Sequence, residues 1–202
     1  MGGNIPVLQT ERLILREFAR DDLEDFFKIF RDEEANTFLP WFPVKTLEEA
    51  RAFFAKRYES PFCGCRYAVC RKEDGRPVGY VNVSFTGGHD FGYGLLPEFW
   101  GRGIMTEAGR AVIAQLRRDG VDFITATHDR NNPRSGAVMR RLGMRYCYSY
   151  EEQWQPKNFP VIFRMYQLNL DGQEDRVYRG YWDSAAVRMV EEGLGPDFAE
   201  KS

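Results

Sequence analysis

The chain has 202 residues, of which 43% are hydrophobic and 15% aromatic, with a formal net charge of −2 and four cysteines. That is enough chain for one domain with a buried core, too apolar for a disordered or fibrous protein, and without the basic excess of a general nucleic-acid binder. No apolar run approaches the ~20 residues of a membrane-spanning helix, and the opening MGGNIPVLQTERL lacks a signal peptide's basic and apolar regions, so a soluble cytoplasmic protein with no nucleic-acid or membrane partner is expected.

Gly2 stands where myristoylation begins, but Pro6 occupies the position that wants Ser or Thr. VLQTERLILREF reads as an opening strand. RDDLEDFFKIFRD then puts Leu23, Phe26, Phe27 and Phe30 on one helical stripe, with Asp21 and Glu24 at capping-box spacing. A second helix is expected from Thr46, with Glu49 three residues on. CRYAVCRKEDGRPVGYVNVSF reads as two strands turning at Asp74-Gly75. DFGYGLL is a fourth strand whose glycines predict a bend or bulge.

After Gly103, Ile104, Ala108, Ala111, Val112 and Leu116 line one helical face, and VDFITAT follows as a short buried strand. Asn132-Pro133 opens another helix as N-cap and first helical residue, and Gly143 closes it. MRYCYSYEEQW and VIFRMYQLNL make a final strand pair. EDRVYRGYWDSAAVRMVEEG reads as a helix outside the main pattern, a terminal brace or the contact of a homodimer. This order of elements predicts a mixed α/β sheet.

Cys65 and Cys70 fall on opposite faces of their strand and no histidine is near, so CGCRYAVC is read as reduced thiols and no metal is expected. Charge is uneven: residues 98–145 hold nine arginines against five acids, so this segment is basic within an acidic chain. That points to a local anionic ligand.

Inside that segment lies LLPEFWGRGIMTEA, residues 95–108. Its glycines fit neither a dinucleotide fingerprint nor a Walker loop. Two readings remain: a plain turn whose glycines take strained dihedrals, or an anion site built from the amides of Gly101 to Thr106 at a helix N-terminus, with Arg102 adding a cation.

Three blocks together, TERLILREF at 10–18, GYGLLPEFWGRGIMTEA at 92–108 and NPRSGAVMRRLGM at 132–144, resemble the GNAT N-acetyltransferase superfamily, and within it the ribosomal-protein N-terminal acetyltransferases. The resemblance covers about residues 7 to 170. It implies a GNAT fold, a mostly antiparallel central sheet of about seven strands flanked by helices, over residues 1–170, with residues 171–202 as a C-terminal helical extension. It implies acetyl-CoA as co-substrate and an amine as acceptor, on a protein N-terminus or a small molecule. The coenzyme would be held by backbone at Leu95 and Leu96 in a splayed strand, by Trp100, Gly101, Arg102, Gly103, Ile104, Met105 and Thr106, and by Asn132 and Ser135 along the pantetheine arm.

Trp100 stands where the superfamily has Gln or Arg, Met105 where it has Gly or Ala, and Met139 where many members carry a proton-donating tyrosine. Asp90 is the candidate base and Ser135 a candidate acid, while His89 and His128 read as surface residues. Trp41, between the first two helices with Phe38 and Phe42, and Tyr93 are candidate acceptor-pocket residues. At neutral pH a lysine must lose its proton at a cost of about 4.6 kcal/mol, an α-amino group at about 1 to 1.4. A non-catalytic acyl-CoA sensor of the same fold is the alternative reading.

Overall fold

Leu8 pairs with Leu15 and Gln9 with Ile14, so the opening segment folds back on itself. Where one strand was expected there are two, β1 (Leu8–Gln9) and β2 (Leu13–Arg16). Thr10 makes the bend: its Oγ1 accepts from the Leu13 amide at 2.9 Å, and its own amide donates to the Leu13 carbonyl. The computed structural model describes residues 5–194; Gly2 and residues 195–202 of the extension lie outside them.

Helix α1 (Leu23–Arg31) buries Phe26, Ile29 and Phe30 at helical spacing. It does not start at the Asp21 box. A 3-10 turn, Arg20–Asp22, precedes it, and Asp22 takes the Ala19 amide at 2.7 Å and a two-pronged ion pair from Arg16. Asp22 is buried, so truncating it strands the Arg16 guanidinium. Asp22→Ala is expected to cost about 2–3 kcal/mol in urea unfolding, and Asp21→Ala under about 0.5.

The short α2 (Glu33–Asn36) and then α3 (Leu47–Phe54) follow, the latter capped by Thr46 through the Glu49 amide and running into a π-turn, Ala55–Glu59. β3 (Gly64–Arg71) and β4 (Pro77–Ser84) form the expected hairpin, and β5 (Phe91–Leu95) joins β4. The bulge expected in β5 is absent. Its register with β4 is continuous, and the irregularity sits in β3 at Val69/Cys70. The glycines of β5 serve space instead: a Cβ on Gly94 would lie 2.6 Å from the Tyr80 ring, whereas one on Gly92 would meet nothing within 4 Å.

Helix α4 (Ile104–Arg118) buries Ile104, Ala108, Val112 and Leu116 on the stripe read from the sequence. β6 (Phe123–Asp129), α5 (Pro133–Arg141), β7 (Arg145–Trp154) and β8 (Phe159–Asn169) complete the order. Gly109 of α4 lets Leu142, just past α5, come so near that a Cβ there would lie 2.8 Å from its methyls.

Beyond residue 170 the expected long helix is broken. Among the described residues there only α6 (Gly180–Ser184) is helical, and β9 (Arg188–Met189) pairs antiparallel with β7. The cause is an unpaired strand edge and an aromatic face: Tyr181 stacks on Tyr150 at 5.2 Å and Trp182 packs edge-on against Tyr148. The extension thus completes a sheet.

The fold is mixed α/β with mostly antiparallel strands, nine among the described residues and in two sheets, β1-β2-β3-β4-β5 and β6-β8-β7-β9. The main core lies between them and α4, and a second, rich in phenylalanine, lies under α1 and α3 on the other face of the first sheet.

Candidate active site

One parallel bridge, Asp90 to Thr125, joins the sheets. Beyond it β5 and β6 part, opening a continuous cleft of about 1910 Å³. The Asp90 carbonyl accepts from Ser84 and the Leu96 amide donates to Val78. By the alternation of an antiparallel ladder, Phe91, Tyr93 and Leu95 therefore turn their backbone groups to the gap. Leu96 departs from expectation. Its amide is taken by Val78 and its carbonyl by Phe99, so its backbone has nothing left for a pantetheine arm.

At one mouth lies the glycine loop. Gly101 and Gly103 both adopt left-handed backbone, φ 73° and 74°. The first hydrogen bond of α4 is Glu107 N–H to the Gly103 carbonyl. None of the six amides from Gly101 to Thr106 has an acceptor among the described residues. Six donors converging at a helix N-terminus make an anion cradle. In the plain-turn reading these donors are left to water, with Gly101 to Gly103 exposed.

Trp100 has a job of its own where Gln or Arg is usual: its indole N–H donates to the Leu95 carbonyl at 2.8 Å, and Arg134 lies over its ring. Met105 and Thr106 are buried in the first turn of α4 in ordinary helical backbone. Arg102 is exposed, with its guanidinium 5.7 Å from the Phe99 ring centroid.

The block at 10–18 belongs to the same cradle. Arg12 donates to the Arg102 carbonyl at 3.0 Å, and to Glu107 from its side chain (2.7 Å) and its backbone (2.9 Å). Despite partial burial, the Thr10 hydroxyl and the Arg12 bonds hold the Glu107 carboxyl below the usual range, so it stays ionised, and the Arg12 guanidinium offsets that negative charge in the turn that must receive a diphosphate. Arg12→Ala is expected to weaken coenzyme A binding roughly tenfold in a titration, and adding Glu107→Gln should recover part of that loss.

Across the gap, Asn132 caps α5, its Oδ1 accepting from the Ser135 amide at 3.3 Å. Tyr93 is not on the acceptor side. Its hydroxyl lies 2.8 Å from the carbonyl and 2.9 Å from the hydroxyl of Ser135, so it is a strut from β5 to α5. Burial pushes its phenol upward, which keeps it protonated. Met139 is buried in the main core and carries no proton to give.

Asp90 is half-buried at the seam, facing the cleft. Desolvation raises its carboxyl to about 6, with Glu152 adding to the rise and Arg57 opposing it. His89 is structural, its Nδ1 2.9 Å from the Phe123 carbonyl and its ring stacked on Phe123. His128, expected at the surface, is buried instead. Its Nδ1 is 2.8 Å from the Asp129 carbonyl, and burial lowers its pKa.

The far mouth lies under α1 to α3. Trp41 both covers the core and lines the cleft: its indole N–H donates to Asn36, and Arg57 lies 4.5 Å over its ring. Three lining residues went unread in the sequence: Glu152 of β7, whose burial raises its pKa, Arg57 and Asn82. Asn82 had a signal. In YVNVS the alternation sets Tyr80, Asn82 and Ser84 on one face, so a carboxamide in a buried strand faces something polar.

A family model for the acetyltransferase (GNAT) domain matches residues 12–145. The chain belongs to the GNAT family. The uncharacterised N-acetyltransferase YoaA of Bacillus subtilis is 25% identical over 146 residues, covering 68% of this chain and 82% of that protein. In fold, this acetyltransferase is similar to a RimL ribosomal L7/L12 α-N-protein acetyltransferase in complex with coenzyme A, with a TM-score of 0.66 at 19% identity over 82% of this chain and 99% of that one. It is also similar to spermidine N-acetyltransferase from Vibrio cholerae with coenzyme A and spermine, with a TM-score of 0.65 at 15% identity over 80% and 97%. This GNAT protein is an acyltransferase with acetyl-CoA as co-substrate. The amide cradle fits a diphosphate. Among the described residues no three His, Cys, Asp or Glu side chains gather to hold a metal ion, and no helix is long and apolar enough to cross a membrane.

Proposed function

We propose that this chain transfers an acetyl group directly from acetyl-CoA to the primary amine of a protein N-terminus or small molecule. The observation that carries this is that cradle and carboxylate open onto one cleft from opposite mouths. The coenzyme supplies an activated acetyl group. Gly101 to Thr106 grip its diphosphate, and the Tyr93 backbone and the Leu95 amide steer the pantetheine arm with Asn132. Asp90, ionised above pH about 6, takes a proton from the incoming ammonium. Glu152 stands beside it as a second acceptor of positive charge. The Tyr93–Ser135 pair is the proton source at the departing thiol that Met139 does not provide.

Direct attack is favoured over an acyl-cysteine route. Burial pushes Cys65 up to about 12 and Cys70 and Cys147 to about 11, which keeps them from serving as thiolates, and Cys63, though exposed, does not line the cleft. The two named neighbours acetylate different amines, and that supports an amine without choosing one. An α-amine suits a base of modest strength better than lysine does, by the protonation costs above.

Thiol release from acetyl-CoA across a panel of peptides and small amines tests the proposal. Binding without release across the whole panel would favour the sensor, which the missing tyrosine permits.

A further inference from the structure

Eight buried side-chain nitrogens and oxygens lack a well-formed hydrogen bond among the described residues, and five of them sit on four neighbouring residues: Arg57 Nε, Tyr58 Oη, Tyr80 Oη and both polar atoms of Asn82, with Tyr58 Oη turned toward Asn82 and Arg57. Unpartnered groups elsewhere are scattered, so this cluster calls for an explanation. It lies on the acceptor side of the cleft. Tyr80 and Asn82 project from the face of β4 that carries the second core, and their partners across the strand are Gly94 and Gly92. Above Gly92 there is open space. Asn82 is 7% exposed and lines the cleft there, with Arg57 reaching in from the π-turn over the Trp41 ring.

The patch is rich in donors and positive. Arg66, opposite Asn82 on β3, packs its guanidinium over Phe62 at 3.7 Å and Tyr58 at 5.6 Å, and burial, with the Arg57 charge beside it, lowers its pKa. Neither cation is in a salt bridge among the described residues: Glu59 pairs with Arg20 and Glu34 with Arg134. Arg57, Tyr80 and Asn82, which line the cleft, offer a guanidinium, a phenol and a carboxamide to an oxyanion. Asp90 sits on the same sheet face, two residues from Gly92, and is close enough to feel the Arg57 charge.

We propose that this patch binds a carboxylate on the acceptor itself, so that the molecule acetylated carries an acid a short reach from its amine, as an amino acid does. Asn82 and Tyr80 donate to one oxygen edge and Arg57 to the other, while the ammonium points to Asp90. Which end of the ligand meets the thioester rests on the acyl-transfer reading; the anion patch does not.

The test is calorimetric titration of the coenzyme-A-loaded protein with glycine, alanine, glutamate and phenylalanine, each against its α-carboxamide, which keeps the ammonium and removes the acid. At least one acid is expected to bind tenfold or more tighter than its amide. In Arg57→Gln that preference should fall to within about threefold, Arg57→Lys should keep part of it, and coenzyme A affinity should hold in both, which reports an intact fold. Amides binding as tightly as acids, Arg57→Gln weakening both alike, or no saturable binding by any acid overturns the proposal. Acids that bind with the preference intact but are never acetylated remove the transfer reading and leave the patch standing.

Discussion

Gly103→Asp abolishes measurable coenzyme A binding, a loss of at least about 100-fold in affinity, while the protein stays folded. Three effects act together. The residue holds φ 74°, which a side chain adopts only at a cost of roughly 1 kcal/mol. Its Cβ would enter the cradle 3.7 Å from Arg12 Nη2, drawing Arg12 away from Glu107. A carboxylate would then stand where six amides await an anion, and like charges set against each other at close range cost several kcal/mol. Titration with coenzyme A reads the binding loss, and a urea melt should show no more than the strain cost. Unchanged affinity would place the diphosphate elsewhere.

Asp90→Asn lowers kcat/KM by about 100-fold or more and changes the shape of its pH profile. The reactive pair is an ionised Asp90 and an amine that arrives protonated. Below pH about 6 the logarithm of kcat/KM rises with slope near 1 in the parent enzyme and is level between there and the pKa of the amine. In the Asn variant only amine that is already neutral reacts, so the slope stays near 1 up to the pKa of the amine. Stability moves the other way. The folded carboxyl titrates at about 6 against an ordinary 3.8, so its ionisation destabilises the fold as pH rises through that window. The Asn variant escapes this and should be more stable above pH 7, by roughly 1–2 kcal/mol once solvent screening in an open cleft is allowed for, with no gain below pH 4. A variant slowed less than threefold would remove Asp90 from proton transfer.

The elements that announced themselves in the sequence were those whose signal is local. Gly103 before a helical stripe and Asn132-Pro133 before another mark helix starts whatever surrounds them. Asp22 shows the limit: the capping spacing pointed to Asp21, but the cap goes to the carboxyl that Arg16 also reaches, and Arg16 lies on another strand. The long C-terminal helix failed for a kindred reason. Its pattern was fair, but a bare edge on β7 and rings waiting at Tyr148 and Tyr150 gave the chain a better use. The cradle was legible because backbone amides need only glycine and a helix start. The acceptor end was not, because Arg57, Asn82, Asp90 and Glu152 come from four separate segments, and none forms a motif alone.

The two sheets share a single backbone bridge, so their mutual angle is left to the packing between and beside them, where Gly109 of α4 lets Leu142 settle against it. That contact acts as the pivot stop of a pair of callipers: bulk added there would spread the jaws and lengthen the span between diphosphate and carboxylate. The enzyme's gauge is therefore adjustable from a position that neither reagent touches.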